Sequence, residues 1–176
     1  IAVAAGDAAS KSYVDGVAAG MTRWLALPVD AATTAALAAC TYANGTAGVG
    51  ATLTANANGA LSAQDGVTLS SAKRLLVKNQ AAALQNGVYD VTQVGDGSNP
   101  FILTRSTDAD SPADLAYAGV VVLGGTVQAG FGYTLSLDST SITIGTTALS
   151  FGLNSAPSGV AGEAAVRSAA DSVIEG

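Results

Sequence analysis

The stretch KRLLVKNQAAALQNGVYDVTQVGDGSNPFILTR, residues 73–105, decides the fold of this chain. It predicts three short strands separated by turns at residues 85–87 and 95–100, because asparagine and glycine tolerate the positive φ that tight turns require. In the middle strand, alternation places Val88 and Asp90 on one face and Tyr89 and Val91 on the other. The stretch therefore predicts a β-meander, and without a histidine or an evident nucleophile its chemistry is that of a scaffold.

Turn signals recur about every 8 to 12 residues along the rest of the chain, a pattern typical of all-β sandwiches and barrels. The sequence predicts a mainly β fold, an antiparallel sandwich or barrel-like domain flanked by short N- and C-terminal helices that bundle with other chains. A polar loop near residue 110 is expected to close with a helical turn that Ser111 caps and Pro112 begins. The further predicted strands are 41–43, 48–54, 60–62, 67–69, 119–123, 126–128, 130–137, 141–144 and 148–151.

Both ends of the chain carry helical patterns that are too short to be stable alone in water. Asp7 is a good N-cap for a helix over residues 7–21, and a second helix is predicted over residues 160–175. Each presents one narrow apolar stripe of the kind that packs helices together, so we expect the helices to bundle with those of neighbouring copies. The predicted oligomer interface consists of Tyr13, Val14, Val17, Met21, Val166, Ala170, Val173 and Ile174.

Three regions follow from these patterns: an N-terminal helix and connector at 1–22, a β domain at 23–153, and a linker with a C-terminal helix at 154–176. The Pro/Ser/Gly-rich residues 154–159 mark the linker. The single tryptophan, Trp24, is expected to plug one end of the core or an interface. Because the chain begins at Ile1 rather than methionine, we interpret it as a processed or partial chain.

Charged residues make up only 11% of the chain, well below the usual quarter, and the formal net charge is −6. A charge-poor surface suits virion and extracellular proteins, and chains that hide much surface in an assembly. The acidic balance and the lack of a basic run argue against nucleic acid or anionic membranes as partners. No apolar run approaches the roughly 20 residues that span a bilayer, so no membrane insertion is expected. Cys40, the lone cysteine, is expected to be a small buried thiol.

No catalytic residue, cofactor site or metal site is predicted, and the chain is expected not to be an enzyme. The absence of histidine removes the commonest general base and most zinc sites. The one carboxylate cluster, Asp108, Asp110 and Asp114, is interpreted as a solvated turn-forming loop, with bound calcium as the alternative. The basic residues Lys73, Arg74 and Lys78 are interpreted as strand-end charges that protect a sheet edge.

The order of several motifs resembles a β module of tail-fibre and attachment-fibre proteins of tailed bacteriophages. These motifs are DGVTL, RLLVKNQ, QNGVYDV, LTRSTDAD and GTTALSF, and ASKSYVD at residues 9–15 resembles a short helix that often precedes such modules. The resemblance covers most of residues 8–151. The chain departs from the pattern at Leu103, where the family often has tryptophan before Thr-Arg, and at Tyr133, where tryptophan is common. Both changes remove aromatic surface, so no sugar-binding role is carried over.

The resemblance implies a structural subunit of a virion fibre on tail or head, a homotrimer of β domains joined by short helical bundles. Such a subunit would connect or space the fibre, contact other virion proteins of the tail, baseplate or head, and contribute to attachment to a host surface glycan or receptor. Two other functions remain open from the residues alone: a carbohydrate-binding or depolymerase fragment, and a subunit of a bacterial surface filament.

Overall fold

The computed structural model describes residues 27–157, which form a mainly β body of two mixed sheets with very little helix. One sheet has four strands in the order β1-β8-β9-β10, and the other has six in the order β2-β5-β6-β7-β4-β3. The strands are β1 Pro28–Val29, β2 Ala31–Ala32, β3 Cys40–Ala43, β4 Thr52–Ala55, β5 Arg74–Val77, β6 Gly87–Gln93, β7 Ile102–Arg105, β8 Gly119–Val122, β9 Gly132–Leu135 and β10 Phe151–Ser155; a 3₁₀ turn spans Ala83–Gln85 and one α-helical turn, α1, spans Pro112–Leu115.

The central meander is confirmed, since β5, β6 and β7 are consecutive antiparallel neighbours. The alternation predicted in β6 is also confirmed, because Val88 packs into one hydrophobic core and Tyr89 and Val91 into another. Both faces of this strand are therefore buried, which places the meander at the centre of the body rather than at its surface.

The prediction of an antiparallel fold is wrong in one respect, because each sheet contains a parallel pair. Residues 28–32 form two two-residue strands, of which β1 pairs parallel with β8 and β2 pairs parallel with β5. Asp30 lies between them, so one extended segment passes from the first sheet to the second. Strands this short leave no period in the sequence, and their partners lie far along the chain.

Because β1 and β2 belong to this single segment, the two sheets are joined at that end. The remaining outer edges are β10 in the four-stranded sheet and β3 in the six-stranded sheet.

Two cores stabilise the described body. The inter-sheet core contains side chains from both sheets, among them Val29, Leu76, Val88 and Val120, together with Leu115 of α1. The second core lies on the other face of the six-stranded sheet, where the loop residues Leu61, Leu69 and Phe101 cover it. At roughly 25 cal/mol per Å² of apolar area, burial of these side chains is the main stabilising contribution.

Ser111 and Pro112 start α1 as predicted: the backbone N–H of Asp114 donates to Ser111 Oγ at 3.2 Å. Three predicted strands, 60–62, 126–128 and 141–144, do not form, and the strand predicted at 67–69 is reduced to a single bridge between Gln64 and Val67. The predicted terminal helices at 7–21 and 160–175 lie outside the described residues, and β10 runs past the predicted domain end at residue 153.

Candidate functional site

The eight residues predicted to form the oligomer interface lie outside residues 27–157, as does Trp24. They are Tyr13, Val14, Val17, Met21, Val166, Ala170, Val173 and Ile174. Their role stays a prediction.

The three clustered carboxylates do not converge. Asp108 pairs with Arg74 at 2.7 Å, Asp114 bonds Ser111 within the cap of α1, and Asp110 is only 8% exposed. Across residues 27–157 no group of three or more Asp, Glu, His or Cys side chains is placed to hold a metal ion. The three carboxylates are therefore not gathered into one cluster, and Asp108 serves an ion pair.

The prediction that Lys73, Arg74 and Lys78 protect a sheet edge is wrong, because β5, which contains Arg74 and is flanked by the two lysines, is an inner strand. β5 lies between β2 and β6, and its Arg74 pairs with Asp108 at 2.7 Å. Lys73 Nζ lies 2.8 Å from Asp30 Oδ1, and Lys78 Nζ lies 4.9 Å from the centre of the Tyr133 ring. Partial burial lowers the pKa of the Lys78 amine, against a smaller opposing effect of Asp65. The Lys78 contact joins the two sheets, because Tyr133 lies in β9 and Lys78 directly follows β5.

Arg105 is the centre of a buried cluster of hydrogen bonds at the start of β6, which we call the Arg105 cluster. One guanidinium nitrogen, Nη2, donates to the Asn86 carbonyl at 3.1 Å and to Tyr89 Oη at 3.0 Å, and the guanidinium lies 4.9 Å from the Tyr89 ring centre. Tyr89 Oη in turn donates to the Gln85 carbonyl at 2.6 Å. Burial raises the pKa of the Tyr89 phenol, although the charge of Arg105 partly opposes this. The Arg105 cluster closes the turn that the motif QNGVYDV predicts.

Gln128 is the centre of a second buried cluster of hydrogen bonds, which lies between the sheets. Its amide nitrogen donates to the carbonyls of Ala32 and Thr33 at 3.1 and 3.3 Å, and its amide oxygen accepts from Tyr133 Oη at 2.6 Å. Ala32 belongs to the six-stranded sheet and Tyr133 to the four-stranded one. Sequence reasoning missed this residue, because a single glutamine in a Gly-rich loop carries no distinctive spacing.

Cys40, expected to be buried, is only half-buried and lies on the outer strand β3. Its Sγ donates to the Ala38 carbonyl at 3.0 Å, and burial raises the pKa of the thiol. The thiol is therefore held in its neutral form, next to an exposed sheet edge.

The hydrogen-bond phase of β3 shows which backbone groups face outward. The N–H of Asn56 donates to the Ala39 carbonyl at 2.9 Å, in the same register as the pair Cys40 and Ala55. In an antiparallel ladder the bonded pairs alternate, so Thr41 bonds toward β4. The N–H and C=O groups of Cys40 and Tyr42 consequently point away from β4, to an edge that no other described strand covers.

The same reasoning identifies the outer groups of β10. Leu135 N–H donates to the Ala118 carbonyl, which shows that the odd-numbered residues of β9 bond toward β8. Thr134 therefore bonds to Gly152, and the backbone groups of Phe151 and Leu153 face outward. An irregularity in register follows Leu153, so the regular part of this edge ends there. Leu153 is also 58% exposed.

Both open edges lie in stretches without any charged residue. No Asp, Glu, Lys or Arg occurs in residues 31–64, which contain β3, or in residues 139–157, which contain β10. Natural edge strands are usually blunted by charged side chains, proline or bulges. β3 has none of these, and β10 has only the irregularity after Leu153. We call the two strands and these stretches the charge-free surface.

Two shallow clefts lie on the surface of the described body. One, of about 210 Å³, is lined by uncharged residues at the ends of β3 and β4 and by Phe101. The other, of about 290 Å³, lies beside the ion pair of Asp30 and Lys73, with Leu69 and the exposed Leu123 in its wall.

No protein-family model, curated protein or solved structure matches this chain. Within residues 27–157 there is also no helix of the length and apolar character required to cross a bilayer.

Proposed function

We propose that this chain is a non-catalytic structural subunit of a virion fibre, on tail or head, and that it works as a homotrimer. In this proposal the two sheets act as a sandwich or barrel-like body, and the terminal helices bundle with those of other copies. The fibre would join other tail, baseplate or head proteins of the particle and contribute to attachment to a host surface glycan or receptor. The observation that carries the proposal is the charge-free surface with its two open sheet edges.

Electrostatics favours this use of the surface. Copies of a chain with net charge −6 repel one another, and this repulsion is smallest when the surfaces that meet carry no charge. Several charges of the described body lie outside these stretches and pair with each other: Lys73 with Asp30, and Arg74 with Asp90 and Asp108. A neutral face that contains open backbone hydrogen-bonding groups suits permanent burial between identical chains. The motif order at residues 65–151 supports the same class of protein.

The proposal is tested by the mass of the full chain in solution. We expect sedimentation equilibrium at micromolar concentration to give three times the chain mass, at both low and high salt, because neutral contacts are not screened. A monomer at all accessible concentrations would contradict the proposal, and a stable dimer would contradict the threefold part of it.

A further inference from the structure

We propose that β10 of one copy adds to β3 of the next copy as an antiparallel strand, so that three such contacts close the trimer. This inference rests on the proposed function and names the surface that would carry it. The partner on each edge is a second copy of this chain.

The positions of the open groups fit this pairing. The outward groups lie at Cys40 and Tyr42 on β3, and at Phe151 and Leu153 on β10, so each edge offers two bonding residues about 6.6 Å apart. Antiparallel alignment sets Cys40 opposite Leu153 and Tyr42 opposite Phe151, and each pair can exchange two backbone hydrogen bonds. It also places the partly buried aromatic side chains of Tyr42 and Phe151 opposite each other on neighbouring strands, which is a favourable cross-strand pair.

Symmetry favours unlike edges over like ones. A threefold ring requires a heterologous contact, in which one surface meets a different surface of the neighbour. Pairing of β3 with β3 would be isologous and would give dimers. The described body has two different open edges, each uncharged, which is what a closed ring of three needs.

The first experiment compares Cys40→Pro with Cys40→Ala in the full chain. Proline removes the outward N–H of β3 and leaves the bonds to β4 intact, because proline is tolerated where the N–H faces away from the sheet. Alanine removes the thiol but keeps the N–H. We expect Cys40→Pro to raise the trimer dissociation concentration by at least about tenfold over Cys40→Ala, with unchanged circular dichroism. Equal dissociation of the two folded variants would overturn the pairing.

The second experiment uses the native thiol as a probe and does not depend on proline. In Leu153→Cys the new thiol would lie opposite Cys40 of the neighbour, within reach of a disulfide. The matched control is Leu123→Cys, which replaces an equally exposed leucine away from both edges. We expect mild oxidation to give covalent two- and three-chain species for Leu153→Cys only, and to give none once Cys40→Ala is added.

The outcomes separate this inference from the proposed function. Cross-linking of Leu153→Cys no greater than that of Leu123→Cys, in a chain that still sediments as a trimer, overturns the strand pairing and leaves the fibre proposal standing. A wild-type chain that sediments as a monomer overturns both. Covalent species that stop at two chains would show isologous contact and also overturn the ring.

Discussion

Arg105 is the largest side chain that is fully buried within residues 27–157, and it has no ion-pair partner among them. Its charge is met by a carbonyl, a phenol oxygen and an aromatic face instead. Two of its nitrogens, Nε and Nη1, have no hydrogen-bond partner in the described body. Since a buried charge is costly without compensation, every contact around this guanidinium matters for stability.

Gly87 shows how tightly that site is packed. It adopts φ +154°, and a Cβ there would overlap Nη1 of Arg105. Because Arg105 is 1% exposed, it has no free space into which it can move. We expect Gly87→Ala to lower the free energy of unfolding by about 2–3 kcal/mol, as measured by urea denaturation.

Gly97→Ala is the matched control, because an added methyl there meets nothing within 4 Å. It should change the free energy of unfolding by less than about 0.5 kcal/mol. Equal free energies of unfolding for the two variants would show that the side chains of the Arg105 cluster move easily to make room for a methyl group at position 87.

The sequence indicated the turn at residues 85–87 but not the hydrogen bonds of the Arg105 cluster. Asn-Gly followed by an alternating strand is a strong local signal, whereas the meeting of Arg105 with Tyr89 depends on β7 pairing with β6 in one particular register. Such contacts between strands cannot be read from spacing alone.

At the scale of elements, local hydrogen bonds explain why a predicted strand at 141–144 is absent. Ile142 and Ile144 alternate and are both buried, as the pattern predicts. Asp138, however, accepts bonds from the backbone of Thr140 and Ser141, and Thr147 Oγ accepts from the backbone of Thr143. Short polar side chains that bond the nearby backbone compete with ladder formation, so the segment forms turns while its isoleucines still reach the core.

The cap of α1 provides a test at this scale. Ser111→Ala removes the acceptor for the N–H of Asp114, and we expect it to lower the free energy of unfolding by about 1 kcal/mol. Thermal unfolding followed by circular dichroism measures the change. Ser139→Ala, at an exposed turn position, is the control and should be close to neutral. A cost for the control as large as that for Ser111→Ala would argue against a specific capping effect.

At the scale of the whole molecule, Asp30 lies between β1 and β2, where the two sheets are joined, and it makes the stability of the fold depend on pH. Its carboxylate accepts from Lys73 Nζ and from the backbone N–H of Arg74, both at 2.8 Å. Burial alone raises the pKa of this carboxyl, but the bond from Lys73 and that from Arg74 lower it by more, so the pKa lies below its usual value.

A carboxyl whose pKa is lower in the folded than in the unfolded chain stabilises the fold above its unfolded pKa, near 4. That contribution disappears as the pH falls through the folded pKa. We therefore expect Asp30→Asn to lower the free energy of unfolding by about 1 kcal/mol at pH 7 and to approach the wild type as the pH falls through the folded pKa of Asp30. Urea denaturation at a series of pH values measures this. A difference that does not depend on pH would contradict the assignment.

The overall architecture was only partly predictable. Mainly β structure followed from the turn signals and the meander, because those are local. The parallel pairs were not, since they depend on the two-residue strands on either side of Asp30 meeting β5 and β8, which lie far along the chain. The open edges likewise became visible only once the strand order was known.

The pairing in the four-stranded sheet has a mechanical consequence. β1 is parallel to β8, and two antiparallel steps follow, so the first and last strands of this sheet run in the same direction. Tension applied to the polypeptide on either side of the body would act along these strands. Their hydrogen bonds lie across the direction of pull and would be loaded in shear together rather than peeled apart one by one. A string of such bodies would have a head and a tail and would resist stretching, as a tether requires.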